Sequence, residues 1–276
     1  MWNKKEGKYR QLLMLLKAIR KKKYDAVINL QRFAASGFLT AFSGAKNRIG
    51  FDKNPLSFLF TLSKKHHIGS KVHPGKHEVD RCLELVESFT DKSSQRPALY
   101  PSVHDFEVVQ KFMSSPYVTI SPASVWFTKQ VPQVEWIALI KALGNVNVWL
   151  LGAKNDRELC QLISADFSNV KVLAGELSFL QSAALMKGAV MNYTSDSAPM
   201  HLCSAVNAPV TAVFCSTIPE FGFGPLSDRS FVIETKHTLD CRPCGLHGHR
   251  TCPQGHFKCS QLDLARAAAN VNQSES

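Results

Sequence analysis

No stretch near the start of this sequence is apolar for long enough to cross a bilayer. The apolar run at residues 12–16 lies between Arg10 and Lys17, whereas a spanning helix needs about 20 apolar residues. A cleavable secretory leader is not expected either: Arg20, Lys21, Lys22 and Lys23 follow the run where a cleavage region is small and neutral. Secretion is therefore not expected, and in a reducing compartment disulfides are the less favoured use of the 8 cysteines. Low-complexity linkers and repeats shorter than a whole domain are also absent. With 15 Gly and 13 Pro beside 45% apolar and 20% charged residues, a collagenous, coiled-coil or mostly disordered chain is excluded. What is present is a globular composition over 276 residues. At roughly 150 residues per domain this makes about two domains, with chain enough to bury a real core.

Acidic residues are scarcest where positive charge is densest. The net charge of +11 comes from 33 Lys and Arg against 22 Asp and Glu. Residues 1–23 hold nine of the bases and the single acid Glu6, a net +8 that leaves +3 for the rest of the chain. Residues 11–23 read as an amphipathic helix with Leu12, Leu13, Leu16 and Ile19 along one side. A helix of this kind either packs on a core and solvates its basic face or lies against an anionic lipid surface or acidic partner.

From residue 117 onward, short apolar β-rich runs alternate with helical ones. Strands are expected at 117–121, 146–151, 170–173, 189–193 and 209–215, with helices at 133–143, 156–164, 178–187 and 197–206. Strands this short and apolar on both faces, separated by helices, belong in a parallel sheet covered on two sides. Gly144-Asn145 ends one helix, Ser178 caps another and Gly188 closes it. The first hundred residues are thinner: strands at 24–30 and 48–51, a helix at 33–42, and a helix at 77–89 with Val79, Cys82, Leu83, Val86 and Phe89 on one face. A free-standing doubly wound domain has about five or six strands, so this half leans on the second domain or has lost its beginning. Residues 93–102, with two prolines, form the expected boundary.

Ligands of open α/β sheets bind beyond the carboxyl ends of the strands, so the loops after the strands are where a site is sought. After 117–121 comes a loop of small residues and hydroxyls, Ala123, Ser124 and Thr128, with Lys129 just before a helix; it suits an anionic oxygen. After 146–151 come Gly152 and Asp156, a carboxylate placed to accept ribose hydroxyls. After 189–193 come Asp196, Ser197 and Ala198 at a helix start, with His201 one turn along; free N–H groups there would meet a phosphate. Each feature also has a plainer reading. Asp196 or Ser197 is a helix cap, Lys129 a solvated cation, His201 a core histidine. Convergence of three such loops on one sheet favours a nucleoside diphosphate. Phe221-Gly222-Phe223-Gly224-Pro225 reads as a flexible aromatic loop that covers an adenine ring, or as a turn packed on the domain edge.

The ordered set Ser121-Pro122-Ala123-Ser124, Lys129, Pro132 and Trp136, then Gly152-Ala153 and Asp156, then Asp196-Ser197-Ala198-Pro199-Met200-His201-Leu202 before Ala208-Pro209 resembles glycosyltransferase family 9, the lipopolysaccharide heptosyltransferases and their relatives. Upstream, Tyr24-Asp25-Ala26-Val27-Ile28-Asn29-Leu30-Gln31, Arg48-Ile49-Gly50-Phe51, and His77 with Asp80-Arg81 are similar to that family's first domain. The resemblance implies an α/β, GT-B-like architecture of two Rossmann-like doubly wound domains, the N-terminal one incomplete. Residues 1–100 would be the acceptor side and 101–276 the nucleotide-sugar-binding domain. It further implies a nucleotide-sugar donor, ADP-heptose being the commonest, and a lipid A–core saccharide acceptor. The setting would be the cytoplasm, peripheral on the inner face of the membrane, with no cofactor needed for catalysis and nucleic acid an unlikely partner. Carried over by position, Lys129 contacts the donor phosphates or stabilises the leaving diphosphate. Asp156, with Glu158 as the alternative, holds the ribose. Asp196, Ser197 and Ala198 set backbone N–H groups against the pyrophosphate, with His201 close by. Ser121, Ala123, Ser124, Thr128 and Gly152 complete the donor set. Members of the family begin with a strand and a Gly-Asp loop that carries the base. Residues 1–23 show no counterpart, so a chain that binds a donor yet transfers poorly is expected, since losing a general base slows transfer by about 10²–10⁴-fold.

Four of the cysteines, Cys241, Cys244, Cys252 and Cys259, fall at x2, x7 and x6 spacing among His247, His249 and His256. Paired thiols with imidazoles suit a structural zinc; free thiols in a packed loop and disulfides are the other readings. Some family 9 relatives carry a similar loop, which the resemblance places near the donor site as a structural elaboration. Cys82, Cys160, Cys203 and Cys215 read as core residues. A second functional class remains beside the transferase: a non-catalytic, zinc-bearing nucleotide- or nucleic-acid-binding protein, with Arg242, His249, Arg250 and Lys258 as a positive face around the cysteines.

Overall fold

A computed structural model of the chain describes residues 7–272. The fold divides between Gln95 and Arg96 into two compact units.

The first unit is a three-stranded parallel sheet with helices. Helix α1, Lys8–Lys22, leads to β1, Ala26–Asn29, α2, Ala34–Ala41, and β2, Asn47–Phe51. Then come β3, Leu62–Lys64, and α3, Glu78–Glu84. The strand order is β1-β2-β3, with Ile28 opposite Ile49 and Gly50 opposite Ser63. In α1 the buried residue is Leu16, with Leu12 and Ile19 half-buried beside it; Leu13, expected on that side, is 52% exposed. Strand β3 is exposed at Leu62 and Ser63 and shows no buried alternation for a sequence reading to find. Helix α3 corrects the expectation for 77–89. It is half as long, it continues only as turns, and Phe89 is exposed. Its buried residue is Arg81, at 2% exposure. That guanidinium is tolerated because Nε donates to Glu78 Oε2 at 2.6 Å and Nη1 to the carbonyls of His67, at 3.0 Å, and Lys76, at 2.5 Å.

The second unit begins with α4, Val103–Val109, absent from the sequence reading. It is started by a capping box in which Ser102 and Asp105 bond each other's backbone N–H. Six parallel strands follow: β4, Tyr117–Ser121; β5, Asn147–Leu150; β6, Val170–Val172; β7, Met191–Ser195; β8, Val210–Phe214; and β9, Ser230–Glu234. The helices between them are α5, Gln133–Leu143, α6, Arg157–Ser164, α7, Phe179–Gly188, and α8, Ala198–Ala205. A 3-10 helix, Leu264–Val271, closes the described chain. Ser178 caps α7 by accepting from the Gln181 N–H, and Gly144 ends α5 at φ 63°.

Strands β4, β7 and β8 are buried along their whole length, which is why they read as continuous apolar runs. Val118 and Ile120 pack with Trp136, Leu139 and Ile140 of α5 on one face. Tyr117 packs with Ala183, Leu185 and Leu202 on the other. Tyr193 is buried in the first of these layers and donates its hydroxyl to the Ala267 carbonyl at 3.0 Å, pinning the last helix. The strand order is β6-β5-β4-β7-β8-β9. The chain winds outward from β4 to β6, then returns beside β4 as β7 and winds the other way. The reversal between β4 and β7 is a topological switch point, where open sheets leave a crevice for ligands.

Candidate functional site

Lys129 leaves the loop after β4 and Asp196 the loop after β7, the two strands that flank the switch point. Their side chains meet: Lys129 Nζ lies 2.7 Å from Asp196 Oδ2, both largely buried. The same carboxylate oxygen accepts the Thr217 hydroxyl at 2.5 Å from the loop after β8. Asp196 is therefore not a helix cap, and Ser197, at the N-cap position of α8, makes no side-chain cap either. Its hydroxyl donates instead to the carbonyls of Ala123 and Ser195, both at 3.3 Å, tying the α8 start to the β4 loop. At this helix start the Asp196 N–H, expected to face a pyrophosphate, bonds the Val213 carbonyl at 2.9 Å, the Met200 N–H bonds the Ser197 carbonyl at 3.1 Å, and Pro199 has no N–H, so the N–H groups of Ser197 and Ala198 are the ones left to face an anion. An anion placed there meets those N–H groups and the positive end of the helix dipole.

The remaining expected residues spread around this pair. Ser121 is buried and its register partner on β7 is Thr194; neither hydroxyl has a hydrogen-bond partner among the described residues. Ser124 accepts from Gln130 Nε2 through its carbonyl at 2.6 Å. Thr128 is buried. Asp156, past β5 on the next strand along, turns its Oδ2 back to accept the Ala153 N–H at 2.7 Å. A Cβ on Gly152 would lie 3.0 Å from that same oxygen, so the glycine gives the carboxylate its room. Asp156 thus sits at a neighbouring strand tip, separate from the Lys129–Asp196 contact. His201 lies exposed on α8, which removes the reading of a core histidine. Phe221 is buried, in a 3-10 helix Pro219–Phe221.

Sequence reasoning missed the residues that hold this site together. Ser216 and Thr217, just past β8, were legible by the strand-end rule that pointed to the other loops. Ser216 Oγ donates to Thr128 Oγ1 at 3.1 Å. From the cysteine-bearing loop, the His249 N–H donates to Thr128 Oγ1 at 2.8 Å, the Thr128 N–H returns to the His249 carbonyl at 3.1 Å, and the Cys244 N–H donates to the Ser216 carbonyl at 2.7 Å. Arg242 corrects an expectation outright. Placed by sequence on a positive face, it is 8% exposed. Its guanidinium donates to the carbonyls of Cys215 at 2.6 Å, Thr217 at 2.7 Å and Phe214 at 3.3 Å, and it pairs with Glu234 at the end of β9. No local signal marks it.

The four clustered cysteines are free thiols. Cys241 Sγ lies 3.8 Å from His256 Nε2, and Cys252 Sγ accepts from the Phe257 N–H at 3.4 Å. Burial pushes the Cys244 thiol up and that of Cys259 up to about 11. Among the described residues no three His, Cys, Asp or Glu side chains are grouped to hold a metal ion. Cys160, Cys203 and Cys215 are fully buried, as core residues should be; Cys82 is half-buried.

Comparison with known proteins bears on the family and the fold. Residues 12–255 match the model of glycosyltransferase family 9 (heptosyltransferase). Lipopolysaccharide heptosyltransferase 1 of Salmonella typhimurium is 27% identical over 211 residues, 74% of this chain and 65% of its own length. Its namesake from Pseudomonas aeruginosa is 26% identical over 256 residues, 87% of this chain and 66% of its own length. The chain thus matches less than two thirds of the length of these relatives. In fold it is similar to E. coli ADP-heptose lps heptosyltransferase II, with a TM-score of 0.73 and 21% identity over 96% of this chain and 80% of that one. It is also similar to E. coli heptosyltransferase WaaC with ADP, with a TM-score of 0.59 and 22% identity over 81% and 70%. The parallel sheets and their helices are those of a GT-B-like fold.

Proposed function

The chain belongs to glycosyltransferase family 9, and from that premise we propose that it transfers a heptose-type sugar from a nucleoside-diphosphate donor, ADP-heptose, to a lipopolysaccharide core saccharide. The observation that carries this reading is the Lys129–Asp196 contact at the switch point, beside the start of α8. Breaking the bond between the sugar and the diphosphate leaves negative charge on the departing oxygen. Fixed cations and N–H donors facing that charge stabilise the transition state more than the ground state. Lys129 supplies the cation, Ser197 and Ala198 at the start of α8 the N–H groups, and Asp156 the ribose contact. Residues 101–276 serve the donor and residues 1–100 the acceptor. No cofactor has a part in this chemistry.

The acceptor of such a reaction is anchored in lipid, and α1 suits the surface it lies in. Its outward side carries Lys17, Arg20, Lys21 and Lys22 beside Leu13 and Met14, 52% and 60% exposed. That mixture of cations and apolar side chains favours an anionic lipid surface. Transient docking there brings the enzyme to its acceptor. Among the described residues no helix is long and apolar enough to cross the membrane.

Calorimetric titration with ADP, ADP-sugars and duplex DNA at two salt concentrations tests the transferase reading. Micromolar binding of ADP and ADP-sugar, lost in Lys129→Ala, is the expected result. Steeply salt-dependent binding to any DNA, with no nucleotide bound, would replace it with a nucleic-acid-binding function.

A further inference from the structure

We propose that Thr217 is a positioning residue for Lys129: acting through Asp196, its hydroxyl sets the ammonium that receives a diphosphate at the β4/β7 switch point. This rests on the nucleoside-diphosphate reading above and names a residue that reading does not use. Thr217 is 2% exposed and Asp196 6%. Thr217 Oγ1 donates to Asp196 Oδ2 at 2.5 Å, and Lys129 Nζ reaches the same oxygen at 2.7 Å. One carboxylate oxygen can accept both bonds. The terminal torsion of an aspartate is broad and roughly two-fold, so without a second partner the carboxylate can rotate and the ammonium follow it. Threonine is stiff at its first side-chain torsion, which makes its hydroxyl a fixed stop.

Thr217 is itself held from behind. Its carbonyl accepts from Arg242 at 2.7 Å, and the same guanidinium takes the carbonyls of Cys215 and Phe214 and the carboxylate of Glu234. A rigid path therefore runs from the end of β9 through Arg242 and the tip of β8 to Thr217, Asp196 and Lys129. Lysine is a flexible stem ending in three donors. With one donor on Asp196, two remain for phosphate oxygens, and their direction is set before a ligand arrives. The Lys129–Asp196 pair is neutral as a unit, so its attraction for a diphosphate depends on where the ammonium points more than on net charge. Losing the Thr217 hydroxyl should then weaken recognition of the diphosphate while leaving the nucleoside contacts alone.

The test compares ADP with AMP on the full chain, by calorimetry and thermal melting, in wild type, Thr217→Val, Thr217→Ser and Lys129→Ala. Lys129→Ala should lose the preference for ADP over AMP. Thr217→Val should lose about tenfold of that preference, equal to about 1.4 kcal/mol, with AMP affinity unchanged, and Thr217→Ser should restore it. If Thr217→Val does not fold, Thr217→Ala, which removes the hydroxyl without placing a new methyl beside the carboxylate, takes its place. A wild-type ADP-to-AMP ratio in the hydroxyl-less variant overturns the inference. So does an equal loss of ADP and AMP affinity, which would mark Thr217 as merely structural. Wild-type protein that binds neither nucleotide removes the donor-binding function itself, and the inference with it.

Discussion

Gly248 sits directly against Thr128: a Cβ built on the glycine would lie 2.8 Å from Thr128 Oγ1, 3.0 Å from Lys129 Cγ and 3.2 Å from Ser216 Oγ. The glycine lets the cysteine-bearing loop close onto the β4 and β8 loops at the point where Lys129 departs. Its φ of +73° is also a conformation that other residues adopt at a cost.

Gly248→Ala should therefore do two things that Gly255→Ala separates. Gly255 shares the left-handed backbone, at φ +71°, but has nothing within 4 Å of its missing Cβ. Both variants should lose about 1–2 kcal/mol from backbone strain, seen as similar falls in melting temperature. Only Gly248→Ala should also weaken ADP binding, because it displaces Thr128 and the Lys129 stem. Equal ADP affinity in the two variants would show that the loop does not support the site.

Acid should erode the start of α4 with a definite sign. The Ser102 hydroxyl, and then its backbone N–H, bond the Asp105 carboxylate and hold its pKa below the ordinary 3.8. A lowered pKa in the folded state means stability that is present above the unfolded value and lost as pH falls through the folded one. Asp105→Ala should thus be destabilising at neutral pH, by urea unfolding. The gap to wild type should narrow once the pH is well below 3.8. A gap that stays constant into acid would show that the capping carboxylate contributes nothing through its charge. Asp228, lowered through its bonds to Arg96 and Asn207, should behave in the same direction.

Helix α1 should carry the chain to anionic membranes. Co-sedimentation with vesicles containing phosphatidylglycerol is expected at low salt, falling as salt screens the cations. Replacing the exposed pair, Leu13→Glu with Met14→Glu, should abolish it without unfolding α1, since both side chains face outward. Binding equally strong to neutral vesicles, or unchanged in the double variant, would assign α1 a purely structural part.

Much of the fold is written in local pattern. The strand at 117–121 and the helix at 133–143 are found where periodicity and Gly144 place them, and Ser178 caps α7 by the bond its position predicts. Period and capping are read over a few neighbouring residues, so they survive in sequence. The burial of Arg81 and Arg242, and strand β3, escaped for the converse reason. A buried guanidinium depends on carbonyls brought from elsewhere, and a short exposed strand is recognised only once β2 lies beside it.

Which residues have the chemistry of a diphosphate site was decided by the amino-acid sequence alone: hydroxyls, a lysine and carboxylates in loops that follow apolar strands. Which of them touch was decided by the order of the strands. The return of the chain to lay β7 beside β4 turns Asp196 from a possible helix cap into the partner of Lys129, and it brings Thr217 and Arg242 in behind them. Strand order is a property of long-range packing. No local propensity carries it, because the hydrogen bonds of a parallel ladder are the same whichever strand is the neighbour.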